Sequence, residues 1–201
     1  MESLKNKLLV QHEIIRENLK IDSYRKHVIN EEKELDKKME HFLSNNELNV
    51  DIFDDTISNF ITVDQRVIFY YVKLKEVFIE YYVTKDMYES NAFDIFSKDF
   101  KVVGRIRMSA DFMNQEHSNP YVLKLFKQHG FMVELINLNS FGKGYGKHFI
   151  KDLKNFSKIT KLPIWLYDMN SKNKNYFKNL GFKFKGNLGE NNEPLLLFNP
   201  K

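Results

Sequence analysis

The most informative stretch of the chain, residues 133–150, is VELINLNSFGKGYGKHFI. It begins as a strand, continues into a loop with Gly142, Gly144 and Gly146, and ends in the first turns of a helix. Backbone N–H groups at a helix start lack partners and carry partial positive charge, and glycine lets a ligand approach the backbone closely. The stretch therefore predicts a strand, loop and helix start that bind a phosphate group.

Two common nucleotide-binding motifs do not fit this loop. A P-loop needs one more residue between Gly142 and the Gly146-Lys147 pair, and His148 stands where a magnesium-binding hydroxyl belongs. The dinucleotide fingerprint GxGxxG fails because the spacing here is GxGxG. Neither an NTPase nor a dinucleotide-dependent enzyme is indicated.

The loop resembles the acetyl-CoA loop of the GNAT family of N-acetyltransferases, written Gln/Arg-x-x-Gly-x-Gly/Ala. Gly144 and Gly146 match the two small positions, whereas Phe141 replaces the Gln or Arg. A strand-to-helix turn with spare glycines and no ligand is the alternative. The resemblance implies that the coenzyme is bound by Gly142, Lys143, Gly144, Tyr145, Gly146 and Lys147.

A second segment, residues 162–182, follows at the distance that the family shows. It starts with the apolar run LPIWLY, typical of a buried strand. The run NSKNKNYFKNLGF then resembles the GNAT ending Asn-x-x-Ala-x-x-Leu-Tyr-x-x-x-Gly-Phe. Asn170 and Phe177 fall on positions that contact the coenzyme, and Phe177 replaces the usual tyrosine. Gly181 is expected to end the helix in a left-handed conformation.

A third match, residues 94–108, resembles the hairpin before the coenzyme strand, with Arg105 and Arg107 opposite the apolar side. The resemblance covers about residues 93–201. It implies an α/β (α+β) fold with a GNAT-like mixed, mostly antiparallel central sheet and flanking helices. We divide the chain into an N-terminal helical segment, residues 1–62, and a GNAT-like acyltransferase domain, residues 63–201.

The N-terminal part lacks a family match. Apolar residues recur at helical spacing in residues 2–21 and 22–44, which predicts two amphipathic helices. A connecting region with a short helix is expected over residues 47–65. Residues 66–84 fit both helix and strand periodicity, and we favour a helix.

Composition excludes several classes of protein. The 201 residues contain no cysteine, which excludes a disulfide scaffold, a thiol nucleophile and zinc sites built on thiolates. No two histidines have metal-binding helical spacing, so no metal is expected. The chain lacks an apolar signal segment and a long apolar run, so we expect a cytoplasmic protein without a membrane partner.

Charge is unevenly distributed. Residues 141–186 contain eleven lysines against two aspartates, a balance of +9 within a total of +4. A basic half around a phosphate loop suits coenzyme A, which is polyanionic. A solvated lysine face is the alternative. Nucleic acid is not favoured as a partner, because no nucleic-acid motif accompanies the lysines.

The resemblance also implies how the substrates are held. Leu138, Asn139 and Ser140 would bond the pantetheine arm through their backbone, and a strand N–H would polarise the thioester carbonyl. Glu134 resembles the glutamate that some GNAT enzymes use as a base, and an ion-paired strand residue is the alternative. His129 and His148 are further candidates for the base.

The proton donor for the leaving thiolate is the main departure from the family. Phe177 cannot donate a proton. Tyr176 is adjacent but about 100° away around the helix. Tyr167, at the end of the preceding strand, is another candidate, and water is a third.

The sequence therefore predicts an acetyl-CoA-dependent N-acetyltransferase. It would transfer the acetyl group directly to a primary amine of a small-molecule or peptide/protein acceptor. The alternative is a non-catalytic GNAT-like coenzyme A-binding or protein-interaction module. Whether the chain forms a homodimer is left open.

Overall fold

A seven-stranded mixed sheet organises the computed structural model, which describes residues 2–45, 63–86, 89, 91–110, 119–169, 175–189 and 192–201. The strands are β1 (Tyr81–Lys85), β2 (Ala92–Ser97), β3 (Val102–Ala110), β4 (Phe131–Ser140), β5 (Ile164–Tyr167), β6 (Lys183–Asn187) and β7 (Pro194–Phe198). Across the sheet their order is β1-β2-β3-β4-β5-β7-β6. Neighbours in this order are antiparallel, except β4 and β5, which run parallel.

Helices flank this sheet. The described helices are α1 (Glu2–Asn18), α2 (Asp22–Asn45), α3 (Val63–Val77), α4 (Pro120–His129), α5 (Tyr145–Thr160) and α6 (Tyr176–Asn179). The predicted fold class, a mixed and mostly antiparallel sheet with flanking helices and an N-terminal helical segment, is confirmed. A short helix was expected within residues 47–65. Residues 47–62 lie outside the described part of the chain, and α3 begins at Val63. None of the described helices combines the length and the apolar composition that crossing a bilayer requires.

Residues 66–84 contain both structures that their sequence suggested. The favoured helix is correct up to Val77, and β1 begins at Tyr81. Spacing of three or four residues ends at Phe78, which is fully buried, and alternation then places Tyr81 and Val83 in the core. Residues 66–84 therefore contain a helical periodicity followed by the alternation of a strand.

The main hydrophobic core lies on one face of the sheet, under α3 and α5. Val102, Ile106 and Met108 of β3 are fully buried there, as predicted. Arg105 and Arg107 lie on the opposite face, which we call the second face, with side chains 28% and 33% exposed.

Gly104 on β3 lets α5 pack closely on the sheet. A Cβ at this position would lie 2.1 Å from the ring of Phe149. The Phe149 ring also packs 5.3 Å from that of Phe78. The position of α5, and so of the loop before it, depends on this contact.

Two smaller clusters cover the second face. The first joins α1 and α2 to the sheet through Leu19, Val28, Phe96, Phe100 and Val103. The second joins α4 to the sheet through Val122, Leu125, Phe126, Met132, Trp165, Leu195 and Leu197.

Helix α2 crosses the open edge of the sheet at β1. The Glu32 carboxylate accepts the N–H of Val83 at 2.8 Å and pairs with Lys75, which also lies 3.2 Å from Asp36. Edge strands expose unpaired backbone groups, and here a buried carboxylate satisfies one of them. Because Leu35 also joins the main core, α2 and the sheet share buried surface.

Candidate active site

The sheet opens between β4 and β5. Their parallel pairing covers two residue pairs, Val133–Ile164 and Glu134–Trp165, whereas β5 pairs with β7 and β4 with β3 along nearly their whole lengths. The register of β4 on β3 shifts between Arg105 and Ile106, and such a bulge bends a strand. Beyond Glu134 the described residues of β4 do not pair with β5, and we call this part of the sheet the opening between β4 and β5.

The second half of β4 presents backbone groups to this opening. The N–H of Phe141 donates to the carbonyl of Lys101 at 2.8 Å and so faces β3. Backbone groups alternate sides along an antiparallel strand, so those of Leu138 and Ser140 face the opening. Asn139, between them, faces β3.

The glycine loop joins the end of β4 to α5. Gly144 immediately precedes α5, has a left-handed φ of +88°, and makes no side-chain cap hydrogen bond. The Ser140 hydroxyl accepts the N–H of Gly146 at 3.2 Å and donates to the carbonyl of Gly142 at 3.1 Å. These bonds fold the loop onto the strand end, and the helix start lies beside the opening.

Tyr145 anchors the loop to the β2–β3 turn. Its hydroxyl donates to Asp99 at 2.5 Å. A Cβ on Gly142 would lie 2.7 Å from the Tyr145 ring, so glycine allows the ring to cover the loop. Lys143 and Lys147, by contrast, are exposed.

Tyr176 reaches the glycine loop. A Cβ on Gly146 would lie 2.8 Å from the Tyr176 hydroxyl, 3.4 Å from Ser140 Cβ and 3.7 Å from Leu138 Cδ2. Four predicted site residues from the strand, the loop and α6 therefore converge at one point. Burial raises the pKa of the Tyr176 phenol, which keeps its proton near neutral pH.

Phe177 packs into the main core. It is 9% exposed, and its ring centroid lies 5.8 Å from Phe182 and 5.0 Å from Tyr176. The Phe182 N–H bonds the Phe177 carbonyl at 3.1 Å, and Gly181 has a φ of +92°, the helix ending that this glycine predicts. A contact between Phe177 and the coenzyme stays a prediction, and Asn170 lies outside the described residues.

Glu134 lies on the second face, among charged side chains. Its carboxylate is 3.2 Å from Arg107, which also contacts both carboxylate oxygens of Glu89 at 2.7 and 2.9 Å. Burial raises the pKa of Glu134, Arg107 opposes the rise, and Glu89 adds to it. A raised pKa suits a group that accepts a proton near neutral pH.

The charged layer continues towards β2. Arg105 pairs with Asp86 and lies 3.9 Å from Asp94. Burial, with a smaller contribution from the charge of Glu31, raises the pKa of Asp94 to about 6. Among the described residues, no group of three or more histidine, aspartate or glutamate side chains could hold a metal ion.

Tyr167 lies on the second face, at the end of β5. Its hydroxyl accepts a hydrogen bond from Asn119 Nδ2 at 2.8 Å, and its ring packs edge-on against Trp165 at 5.6 Å. Asn119 also caps α4 by accepting the N–H of Tyr121 at 2.9 Å. Tyr167 is thus tied to the start of α4, on the face opposite Tyr176.

Helix α1 contacts the end of the predicted coenzyme strand, which the sequence did not reveal. His12 Nδ1 lies 2.8 Å from Asn139 Oδ1, and its ring packs 4.7 Å from that of Phe141. No motif marks His12, and the amphipathic helix predicted over residues 2–21 did not indicate which strand it contacts. Of the two histidines that the sequence offered as candidate bases, His129 ends α4 and His148 is exposed on α5.

No protein-family model and no curated protein matches this sequence. Among solved structures, the chain is similar to the Bacillus subtilis N-acetyltransferase YlbP in complex with coenzyme A (19% identity, 55% of this chain and 68% of that chain, TM-score 0.38). It is also similar to AtaT complexed with acetyl-methionyl-tRNAfMet (18%, 54% and 69%, TM-score 0.32) and to a mutant of KacT (17%, 71% and 86%, TM-score 0.33). These neighbours are GNAT N-acetyltransferases, the family that the sequence motifs resemble, and the likeness is one of fold.

Proposed function

We propose that this protein is an acetyl-CoA-dependent N-acetyltransferase, which transfers the acetyl group directly to a primary amine of a small molecule, peptide or protein. The opening between β4 and β5 carries the proposal. The glycine loop lies at its end, Tyr176 on the side of the main core and Glu134 on the second face. A strand with outward-facing backbone, followed by a helix start, suits a long ligand with phosphates beyond its thioester arm.

The chain's residues fit coenzyme A at this opening. Gly146 lets the Tyr176 hydroxyl and Ser140 pack against the start of α5, which holds the loop at the end of β4. The exposed lysines of the loop and of α5 complement phosphate charge. We assign Leu138, Asn139 and Ser140 to the pantetheine arm, and the loop from Gly142 to Lys147 to the pyrophosphate.

Three groups of the chain would act in the transfer. The thioester of acetyl-CoA supplies an acyl group that an amine nitrogen can attack. Glu134 accepts a proton from the amine, directly or through water, and a β4 backbone N–H polarises the carbonyl oxygen. Tyr176, whose hydroxyl lies beside Gly146, would bond the coenzyme near its pyrophosphate, and water gives a proton to sulfur as the carbon–sulfur bond breaks.

The second face favours a cationic acceptor. The carboxylates of Glu89, Asp94 and Glu134 surround the amine's proposed approach, with Arg107 neutralising part of their charge. A protonated amine is attracted to such a surface and must then lose its proton before attack. The raised pKa of Glu134 supports its role in that step.

Titration calorimetry with acetyl-CoA, followed by an acceptor screen, tests the proposal. The screen includes polyamines, lysine peptides and aminoacyl-tRNA, with free thiol release and product mass as readouts. We expect saturable binding and acceptor-dependent thiol release that is reduced in Glu134→Gln. Binding without transfer to any acceptor would favour the non-catalytic module, which the replacements Phe141 and Phe177 in the family motifs also suit.

A further inference from the structure

Glu89 lies in the connection between β1 and β2, and its backbone is held in place on both sides. Its N–H donates to Asp86 Oδ1 at 2.8 Å, and its carbonyl accepts the N–H of Ala92 at 3.1 Å. Asn91 Nδ2 donates to the carbonyl of Met108 on β3 at 2.7 Å. The connection is therefore tied to β3, and the Glu89 side chain starts from a fixed position.

Arg107 bridges two carboxylates and bonds Glu89 more closely than Glu134. Its Nε donates to Glu89 Oε2 at 2.7 Å and its Nη2 to Glu89 Oε1 at 2.9 Å. Two parallel bonds of this kind fix the orientation of a guanidinium as well as its position. The remaining Nη1 donates to Glu134 Oε2 at 3.2 Å.

This arrangement leaves one oxygen of Glu134 for a substrate. Arg107 and Glu134 lie directly opposite each other in the β3–β4 register, close enough for a guanidinium to bond both oxygens of a carboxylate. Because Glu89 occupies one edge of the guanidinium, Glu134 receives a single N–H. Among the residues that the structure describes, no other donor bonds the Glu134 carboxylate, and its Oε1 can accept a proton.

We propose that Glu89 is a positioning residue for Glu134: by holding Arg107 on one edge, it keeps Glu134 Oε1 free to accept the proton of the amine. The inference rests on the proposed function, in which Glu134 is the base. As the N–H bond of the amine breaks, the Oε1–H bond forms, and the proton then passes to solvent. Without Glu89, the guanidinium would turn and bond both oxygens, and a carboxylate paired in this way is a poor base.

The charges around Glu134 act in the same direction as this geometry. Burial raises the pKa of Glu134, Arg107 on β3 opposes the rise, and Glu89 on the β1–β2 connection adds to it. The neighbouring Arg105 pairs with Asp86 of the same connection, and neither of these two residues is among the charges that shift the pKa of Glu134. The Arg105–Asp86 pair therefore offers a matched control.

The pKa of Glu134 tests the proposal on the full chain, without any acceptor. Carbon-13 NMR of labelled glutamate side chains follows the carboxyl from pH 4 to pH 8, and Glu134→Gln assigns its resonance. Glu89→Gln should lower the pKa of Glu134 by about one pH unit or more, because a negative charge beside it is lost. Arg107→Gln should raise that pKa. Asp86→Asn, the control, should leave it unchanged, and circular dichroism checks that each variant folds.

A crystal structure of Glu89→Ala tests the geometry, and we expect Arg107 to bond both oxygens of Glu134 in it. A single bond, as in the wild type, would overturn the role of Glu89. So would a pKa of Glu134 that stays the same in Glu89→Gln, or that shifts equally in Glu89→Gln and Asp86→Asn. If no amine of the acceptor screen is acetylated, the proposed function itself fails, and Glu134 is not a base whatever its pKa.

Discussion

Tyr176 contacts the glycine loop of the proposed coenzyme site, and Phe177 provides a neighbouring control. Tyr176→Phe should raise the KM for acetyl-CoA by up to about tenfold and leave kcat nearly unchanged, because its hydroxyl lies beside Gly146. Phe177→Tyr should not raise the rate, because its ring packs in the core and a buried hydroxyl costs about 1–3 kcal/mol. Steady-state kinetics and thermal unfolding measure both effects. A large loss of kcat in Tyr176→Phe or in Tyr167→Phe would contradict protonation by water and identify that tyrosine as the proton donor.

Asp94 should make stability depend on pH. Its carboxyl has a pKa of about 6 in the folded chain, against about 3.9 when unfolded, so the folded state binds the proton more tightly. Its contribution is therefore most favourable below about pH 4 and declines as the pH rises through 6. Relative to the wild type, Asp94→Asn should gain about 1–3 kcal/mol between pH 4.5 and pH 8 in urea unfolding. A constant difference between the two proteins across that range would contradict a raised pKa.

Single residues were predictable where the information is local. The face of Glu134 follows from strand alternation, and the conformation of Gly181 follows from the helix ending. The contact of His12 with Asn139 was not predictable, because it depends on how α1 docks onto a strand more than a hundred residues away. Similarly, the ion pair of Glu134 with Arg107 requires the β3–β4 register.

At the scale of elements, the glycine loop gives the clearest test. Gly146→Val should weaken acetyl-CoA binding at least about tenfold, because its side chain would collide with the Tyr176 hydroxyl and displace the loop from the end of β4. Gly130→Asn is a suitable control, since Gly130 follows α4 in open surroundings and asparagine tolerates its positive φ. Calorimetry measures affinity, and circular dichroism checks the fold. Wild-type affinity in a folded Gly146→Val protein would remove the loop from the site.

The docking of α2 on the edge of the sheet is a second element to test. Glu32→Ala should lower the free energy of unfolding by about 3 kcal/mol, because Lys75 keeps only Asp36 as a partner among the described residues and the Val83 N–H loses its acceptor. Glu34→Ala removes an exposed ion pair with Lys37 and should change the free energy of unfolding by less than about 1 kcal/mol. Urea unfolding measures both. Equal effects would mean that α2 adds little to the sheet, and that residues 1–62 form a separate appendage.

The elements themselves were predictable to different degrees. The strand–loop–helix unit from β4 to α5 and the β2–β3 hairpin follow from alternation, glycines and helical spacing within short windows. The boundary between α3 and β1 was missed, since the aromatic residues there satisfy both periods. The bulge that bends β4 has no sequence signal, because it arises from pairing with β3.

For the molecule as a whole, the central claim is that coenzyme A occupies the opening between β4 and β5. A crystal structure of the full chain with acetyl-CoA tests this most directly. The account predicts the pyrophosphate on the backbone from Gly142 to Lys147, the pantetheine arm along the second half of β4, and the thioester beyond Leu138 towards Glu134. Coenzyme bound elsewhere, or density absent from this opening at saturating acetyl-CoA, would contradict it.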